Sequence, residues 1–198
     1  LFDGKNGSIT ALMDAASITA MRTAAVSGVA TDLLAPRGAN RLAIMGAGVQ
    51  AATHIDAMLA VRPFKEVAVW GRNLANTKKF VKAQLKRHKK VSFTAHTDAA
   101  PMIKAADVIC TVTASREPVL RGEWLRPGAH INAVGASLST TRELDSEVVK
   151  RSRVYVDRRE SAMNEAGDLL IPAREGAFSM DRIVGEIGEI LTGKANGR

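Results

Sequence analysis

The sequence predicts an α/β fold built on a parallel sheet, and three observations predict it. From residue 41 onward, short apolar runs alternate with helix-length segments, the pattern of parallel strands joined by right-handed crossovers. Most runs are apolar throughout rather than at every second position, as strands buried on both faces require. The first run leads straight into Gly46-Ala47-Gly48-Val49-Gln50-Ala51, a glycine-rich turn between a strand and a helix.

The elements follow in order. Residues 1–16 carry two apolar pieces, Leu1-Phe2 and Ile9 to Met13, around the polar turn Asp3-Gly4-Lys5-Asn6-Gly7. That reads as a β-hairpin whose first strand lacks its beginning, so the chain is expected to start inside a domain. Ser17 or Thr19 opens an Ala-rich helix that runs to about Leu34, and Pro36-Arg37-Gly38 ends it. Strands are expected near 41–46, 66–71, 91–95, 107–113, 129–134 and 153–157, with helices near 48–61, 74–88, 98–104 and 142–151. Six strands make a complete doubly wound sheet of the Rossmann type. Beyond 157 the pattern gives a helix ending at Gly167, an irregular stretch through Pro172 and an amphipathic helix near 181–192.

Composition bounds the function. The 198 residues suffice for one large domain, or one domain and part of another. No apolar run approaches the roughly 18 residues of a membrane span, and the opening residues read as strand and turn, not as a leader. Cys110 is the single cysteine, which excludes an internal disulfide and a structural zinc finger and fits a reducing, cytoplasmic setting. His54, His88, His96 and His130 are scattered, without metal-ligand spacing, so no metal is expected. The net charge of +8 is concentrated in Lys78, Lys79, Lys82, Lys86, Arg87, Lys89 and Lys90. Phe80, Val81 and Leu85 lie among them at near-helical spacing and no aromatic side chains interleave to stack bases. That is the solvated face of an amphipathic helix rather than a nucleic-acid surface.

The glycine-rich turn carries the chemistry. Gly46 permits the tight turn, Gly48 lets the backbone approach a pyrophosphate, and Ala51 is small enough for the helix to pack on the strand. The helix start, with Ala47, Val49 and Gln50, offers free N–H groups and a partial positive charge to phosphate. An NAD site usually places a carboxylate at the end of the second strand. Here the strand ends in Trp70-Gly71-Arg72-Asn73, and Arg72 is suited to clamp a 2′-phosphate. NADP(H) is therefore expected, with NAD(H) as the alternative. The nicotinamide belongs at the carboxyl ends of the later strands, where Thr111, Val112 and Thr113 meet Val134, Gly135 and Ala136.

Several ordered segments resemble the ornithine cyclodeaminase and mu-crystallin family across nearly the whole chain. They are Arg22-Thr23-Ala24-Ala25, the Gly46–Ala51 turn, Ala106 to Ile109 with Thr111-Val112-Thr113, Glu117-Pro118-Val119, Gly128 to Ser137, Arg142-Glu143-Leu144-Asp145 and Glu165-Ala166-Gly167-Asp168-Leu169. The fifth strand is very close to that of mu-crystallins. The resemblance implies a homodimer in which both chain ends build a substrate and dimerisation domain around a central nucleotide domain. On that pattern residues 1–38 are a partial substrate domain with its connecting helix, 39–175 the NADP(H)-binding domain, and 176–198 a C-terminal helix leading back. It also implies that Arg22 binds the substrate carboxylate and that Glu165 lies near the ligand pocket. Cyclodeaminases carry an acid/base aspartate where this chain has Ser137, and a serine is a poor general base. The implied activity is NADPH-dependent reduction of the C=N bond of a small imino acid. The alternatives are a cyclodeaminase-type lyase with bound NAD and an NADPH-dependent thyroid-hormone-binding protein. The family's active-site lysine lies upstream of Leu1, so this chain is expected to bind the cofactor without turnover.

Overall fold

A computed structural model describes residues 1–197. Five parallel strands form the main sheet: β1 (Arg41–Met45), β2 (Glu66–Trp70), β3 (Ser92–His96), β4 (Val108–Thr111) and β5 (His130–Ala133), in the order β3-β2-β1-β4-β5. The strands end level. Met45 pairs with Trp70 on one side and Thr111 on the other, and Thr111 pairs with Ala133. One carboxyl edge results, with the chain reversing direction across the sheet at β1.

Both faces of this sheet are covered because its central strands are apolar on both sides. On β1, Leu42 and Ile44 enter one core with Ile55 and Met58, while Ala43 and Met45 enter the other with Ile103 and Ile109. Burying an aliphatic side chain of this kind contributes about 1.5–3 kcal/mol. The covering helices are α1 (Ala15–Leu34), α2 (Val49–Val61), α3 (Leu74–Arg87) and α4 (Ala99–Ala105). Asp14, Asn73 and Asp98 cap α1, α3 and α4 through their side-chain oxygens, satisfying amides that a helix start leaves free. On α3, Thr77, Val81 and Gln84 are buried while Lys78, Lys79, Lys82 and Lys86 face solvent. None of the described helices is long and apolar enough to cross a membrane.

α1 packs on α2 through small residues, with Gly28 against Ala57, and through buried polar contacts. The Ser27 hydroxyl lies 3.1 Å from His54 Nε2, and His54 Nδ1 lies 2.7 Å from the Gln50 carbonyl. That carbonyl can only accept, so Nδ1 donates and Nε2 accepts; burial lowers the His54 pKa. Asn132 on β5 donates to the Thr31 hydroxyl on α1 at 2.9 Å.

The C-terminal third departs from the pattern expected. The apolar run Val154–Val156 forms β6, yet it does not become a sixth strand of the main sheet. It pairs in parallel with β7 (Ile183–Glu186) as a separate two-stranded sheet. A three-residue strand carries no signal about which partner it takes. The helix expected near 181–192 is a 3-10 turn over Met180–Arg182, then β7, then the short helix α8 (Ile187–Leu191). The β-branched pair Ile183-Val184 favours the strand, and Glu186 and Glu189 form the capping box that starts α8. Helix α5 is only Ser146–Arg151, because Asp145 caps it. Residues 159–174 fold as α6 (Arg159–Glu165) and α7 (Gly167–Arg174), with Pro172 inside α7 rather than in an irregular stretch.

At the other end the expected hairpin reduces to one antiparallel bridge, Phe2 with Ile9. The turn closes through the Gly7 N–H to the Asp3 carbonyl at 2.9 Å. Among the described residues no further strand lies beside it, and Phe2, Ile9 and Leu12 are exposed.

Candidate active site

The turn after β1 has the geometry an anion needs. Gly46 has φ +128°, a region closed to most side chains, and a Cβ there would lie 2.8 Å from the Val112 carbonyl oxygen. The Gly46 N–H donates to the Trp70 carbonyl at 2.8 Å, locking the turn onto β2. Gly48 is the N-cap of α2 and offers no side chain to its first amides. A Cβ on Gly48 would meet nothing within 4 Å, so the space over the helix start is open. Gln50 Oε1 is buried with no hydrogen-bond partner among the described residues. Ala51 is wholly buried between α2 and the sheet. Free amides at a helix start, with open space above them, fit a pyrophosphate-bearing group.

Beyond β2, Arg72 and Asn73 are both exposed. Arg72 forms no ion pair among the described residues. The Asn73 side-chain oxygen accepts the Asn76 N–H at 3.0 Å, so that atom serves the start of α3.

The ends of β4 and β5 meet at the carboxyl edge. Thr111 and Val112 are buried, and the Val134 N–H donates to the Thr111 carbonyl at 3.0 Å. One residue further, Thr113 N–H and Gly135 N–H both donate to the Glu143 carboxylate, at 2.6 and 2.7 Å. Glu143 is itself wholly buried. Burial raises its pKa, opposed chiefly by the hydrogen bonds from Thr113 and Gly135. Behind it, Asp168 Oδ1 accepts the Glu143 and Leu144 N–H groups at 2.7 and 2.9 Å. Burial pushes the Asp168 pKa up to about 7, against those two amides and with the help of the Glu143 charge.

Next to this edge a cleft of about 760 Å³ opens between α1, β5, β6, α6 and α7. Arg22, Ser137, Glu165 and Asp168 line it, and Val134 and Ala136 reach it from the sheet. The structure thus gathers Arg22, Ser137 and Glu165, which are more than a hundred residues apart at the extremes, into one cavity. The residues of the Gly46 turn, Arg72 and Asn73 lie outside it. His130, at the start of β5, is buried with Nε2 3.2 Å from Asn132 Oδ1. Cys110 is wholly buried, which pushes its thiol pKa up to about 12, far from a reactive thiolate.

Nothing in the sequence around Glu143 and Asp168 marks them as site residues. Both lie in loop or helix-start segments without periodicity, and what marks them is a set of backbone amides from distant strands.

A parallel sheet ordered 3-2-1-4-5, with a glycine turn and an uncapped helix start at its carboxyl edge, defines a Rossmann-type α/β fold. The chain belongs to the ornithine cyclodeaminase/mu-crystallin family, whose model matches residues 1–198. It is 45% identical over 193 residues to the ketimine reductase mu-crystallin of Mus musculus, covering 98% of this chain and 58% of the mouse protein. It superposes with TM-score 0.95 and 41% identity on Thermococcus litoralis Delta(1)-pyrroline-2-carboxylate reductase in complex with NADH and L-proline. An archaeal alanine dehydrogenase dimer with bound NAD superposes with TM-score 0.92 and 31% identity. All of this chain is matched in both structures, but only 61% and 60% of theirs; the chain spans about three fifths of the length of its relatives.

Proposed function

We propose that this chain binds a nicotinamide dinucleotide, NADPH in preference to NADH, and that the protein it forms reduces the C=N bond of a small imino acid. The observation that carries the reading is the continuity of the carboxyl edge with the cleft. Val134 and Ala136 belong to both, and Arg22, Ser137 and Glu165 face the same cavity. The relatives named above include reductases of imino acids, and solved structures similar to this chain hold NADH or NAD.

When bound, the reduced nicotinamide supplies the hydride. The chain's own residues bind and orient. The open helix start at Gly48 to Gln50 takes the pyrophosphate. Arg72, exposed with no carboxylate at the end of β2, takes the 2′-phosphate. Thr111 to Thr113 and Val134 to Ala136 seat the nicotinamide end. Arg22 grips the substrate carboxylate through its planar fork, which fixes the imine carbon relative to the cofactor. Ser137 and Glu165 offer a hydroxyl and a carboxylate to the substrate nitrogen. On this reading residues 1–38 and 176–198 belong with the substrate side and 39–175 with the nucleotide, and the working protein is a homodimer.

A titration of NADPH fluorescence with the chain tests binding. Loss of nicotinamide absorbance on adding a cyclic ketimine carboxylate tests the reaction. Release of ammonia from ornithine without net cofactor oxidation identifies a cyclodeaminase instead.

A further inference from the structure

We propose that Glu143 is a positioning residue: its carboxylate ties the loop after β4 to the loop after β5, so that the nicotinamide end of the site rests on one rigid floor. The proposal rests on the dinucleotide reading above and adds a residue that the reading does not use.

The geometry is that of an extra rung in a ladder that has run out. The last rung between these strands is the Val134 N–H to the Thr111 carbonyl. One step further the amides of Thr113 and Gly135 point to neither strand and instead converge on Glu143, one on each carboxylate oxygen. Gly135 leaves room for this. A Cβ there would sit 2.1 Å from the Thr113 carbonyl oxygen and 2.5 Å from Glu143 Cδ, so the approach exists only with glycine.

Glu143 is in turn fixed by its backbone. Its carbonyl accepts the Val119 and Leu120 N–H groups at 2.7 and 2.9 Å, and its N–H donates to Asp168. The carboxylate is thus aimed from a pinned main chain.

Chemistry explains why a carboxylate stands here despite the cost of burying one. An ionised carboxyl group has two acceptor oxygens and no donor. A glutamine of the same shape must turn its NH₂ toward one of the two amides. Gly135 lies between Val134 and Ala136, which line the cleft, so its tie to Thr113 sets where a nicotinamide ring lies relative to Arg22.

Glu143→Gln tests this by splitting the ligand. The adenylate half of the cofactor needs only the Gly48 turn and Arg72, whereas the whole dinucleotide also needs the floor. Losing one amide bond to a charged acceptor is expected to weaken NADPH binding about tenfold or more, with binding of 2′,5′-ADP changed by less than about twofold. If NADH binds more tightly than NADPH, NADH and ADP form the matching pair. An equal loss for both ligands means a general structural defect and overturns the proposal, as does no loss for either. The unmodified chain supplies a second measurement that does not depend on the variant folding. The Thr113 and Gly135 amides are expected to exchange hydrogen at least about tenfold more slowly than those of Ala114 and Ala136; equal rates overturn the clamp. A chain that binds neither NADPH nor 2′,5′-ADP overturns the dinucleotide reading, and the exchange rates still judge the clamp.

Discussion

The glycine turn after β1 and the cleft are neighbours built on opposite principles. The turn is assembled from one continuous segment, β1 through the first turn of α2, and what it presents is backbone. The cleft draws its polar side chains from α1, the loop after β5, α6 and α7. A contiguous site is specified by local rules, whereas a dispersed one depends on every element around it being in place. Mutations should therefore act differently in the two: cleanly at the turn, and through substrate binding or stability at the cleft.

Gly48→Val should have the largest effect. No atom lies within 4 Å of a Cβ at this position, so the variant should fold, while its branched side chain fills the space over the helix start. NADPH binding is expected to vanish from a fluorescence titration, with an unchanged circular dichroism spectrum. Retained binding would place the dinucleotide elsewhere.

In the cleft, Arg22→Ala should leave NADPH affinity alone and weaken capture of a carboxylate-bearing ligand. Hydrogen bonds to a charged group contribute about 1.5–3 kcal/mol, so a loss of about ten- to a hundredfold is expected, read as Kd for proline. A parallel loss of NADPH affinity would erase the distinction between the two regions. Arg72→Ala should act the other way. It should remove a preference for NADPH over NADH of about tenfold, which corresponds to about 1.4 kcal/mol, without changing the substrate constant. Equal affinity for both cofactors in the unmodified chain would refute this role for Arg72.

The remaining effect is on stability. The folded chain keeps the Asp168 proton up to about pH 7, whereas an unfolded aspartate loses it near the ordinary carboxylate value. Between these points the native state holds more protons than the unfolded one, so this group's contribution to stability falls as pH rises. Asp168→Asn keeps an acceptor for the Glu143 and Leu144 amides and removes the titration. Its melting temperature should gain on that of the parent by roughly 10 °C from pH 4 to pH 7, given about 1.4 kcal/mol per unit of pKa difference and about 2–4 °C per kcal/mol at this size. Parallel melting curves across that range would assign the pH dependence to other groups.

The same division governs what the sequence made legible. The five strands of the main sheet and the helices α1 to α4 lie close to where apolar runs, breakers and caps put them, because each is specified by its own residues. The turn at Gly46 was legible for the same reason. Val154–Val156 reads as a strand, but its partner does not, since pairing with Ile183–Glu186 depends on a segment some thirty residues later. Ile183 to Leu191 has helical spacing, yet its β-branched start finds a strand edge, and tertiary pairing overrides periodicity. Glu143 and Asp168 were invisible as a pair because their partners are main-chain amides, which look alike in any sequence.

The polar contacts between α1 and its support have a mechanical side. α1 has 20 residues and is about 30 Å long at 1.5 Å per residue. Its buried residues run from Ala20 and Ala24 through Ser27, Gly28 and Thr31 to Leu34. The helix is therefore a cantilever gripped from Ala20 onward, and its overhang is the first turn, where Ile18 is exposed. Arg22 lies within the gripped length, between Ala20 and Ala24. Bending of a cantilever grows with distance from its support, so the guanidinium sits where deflection is small and the free tip takes up the motion.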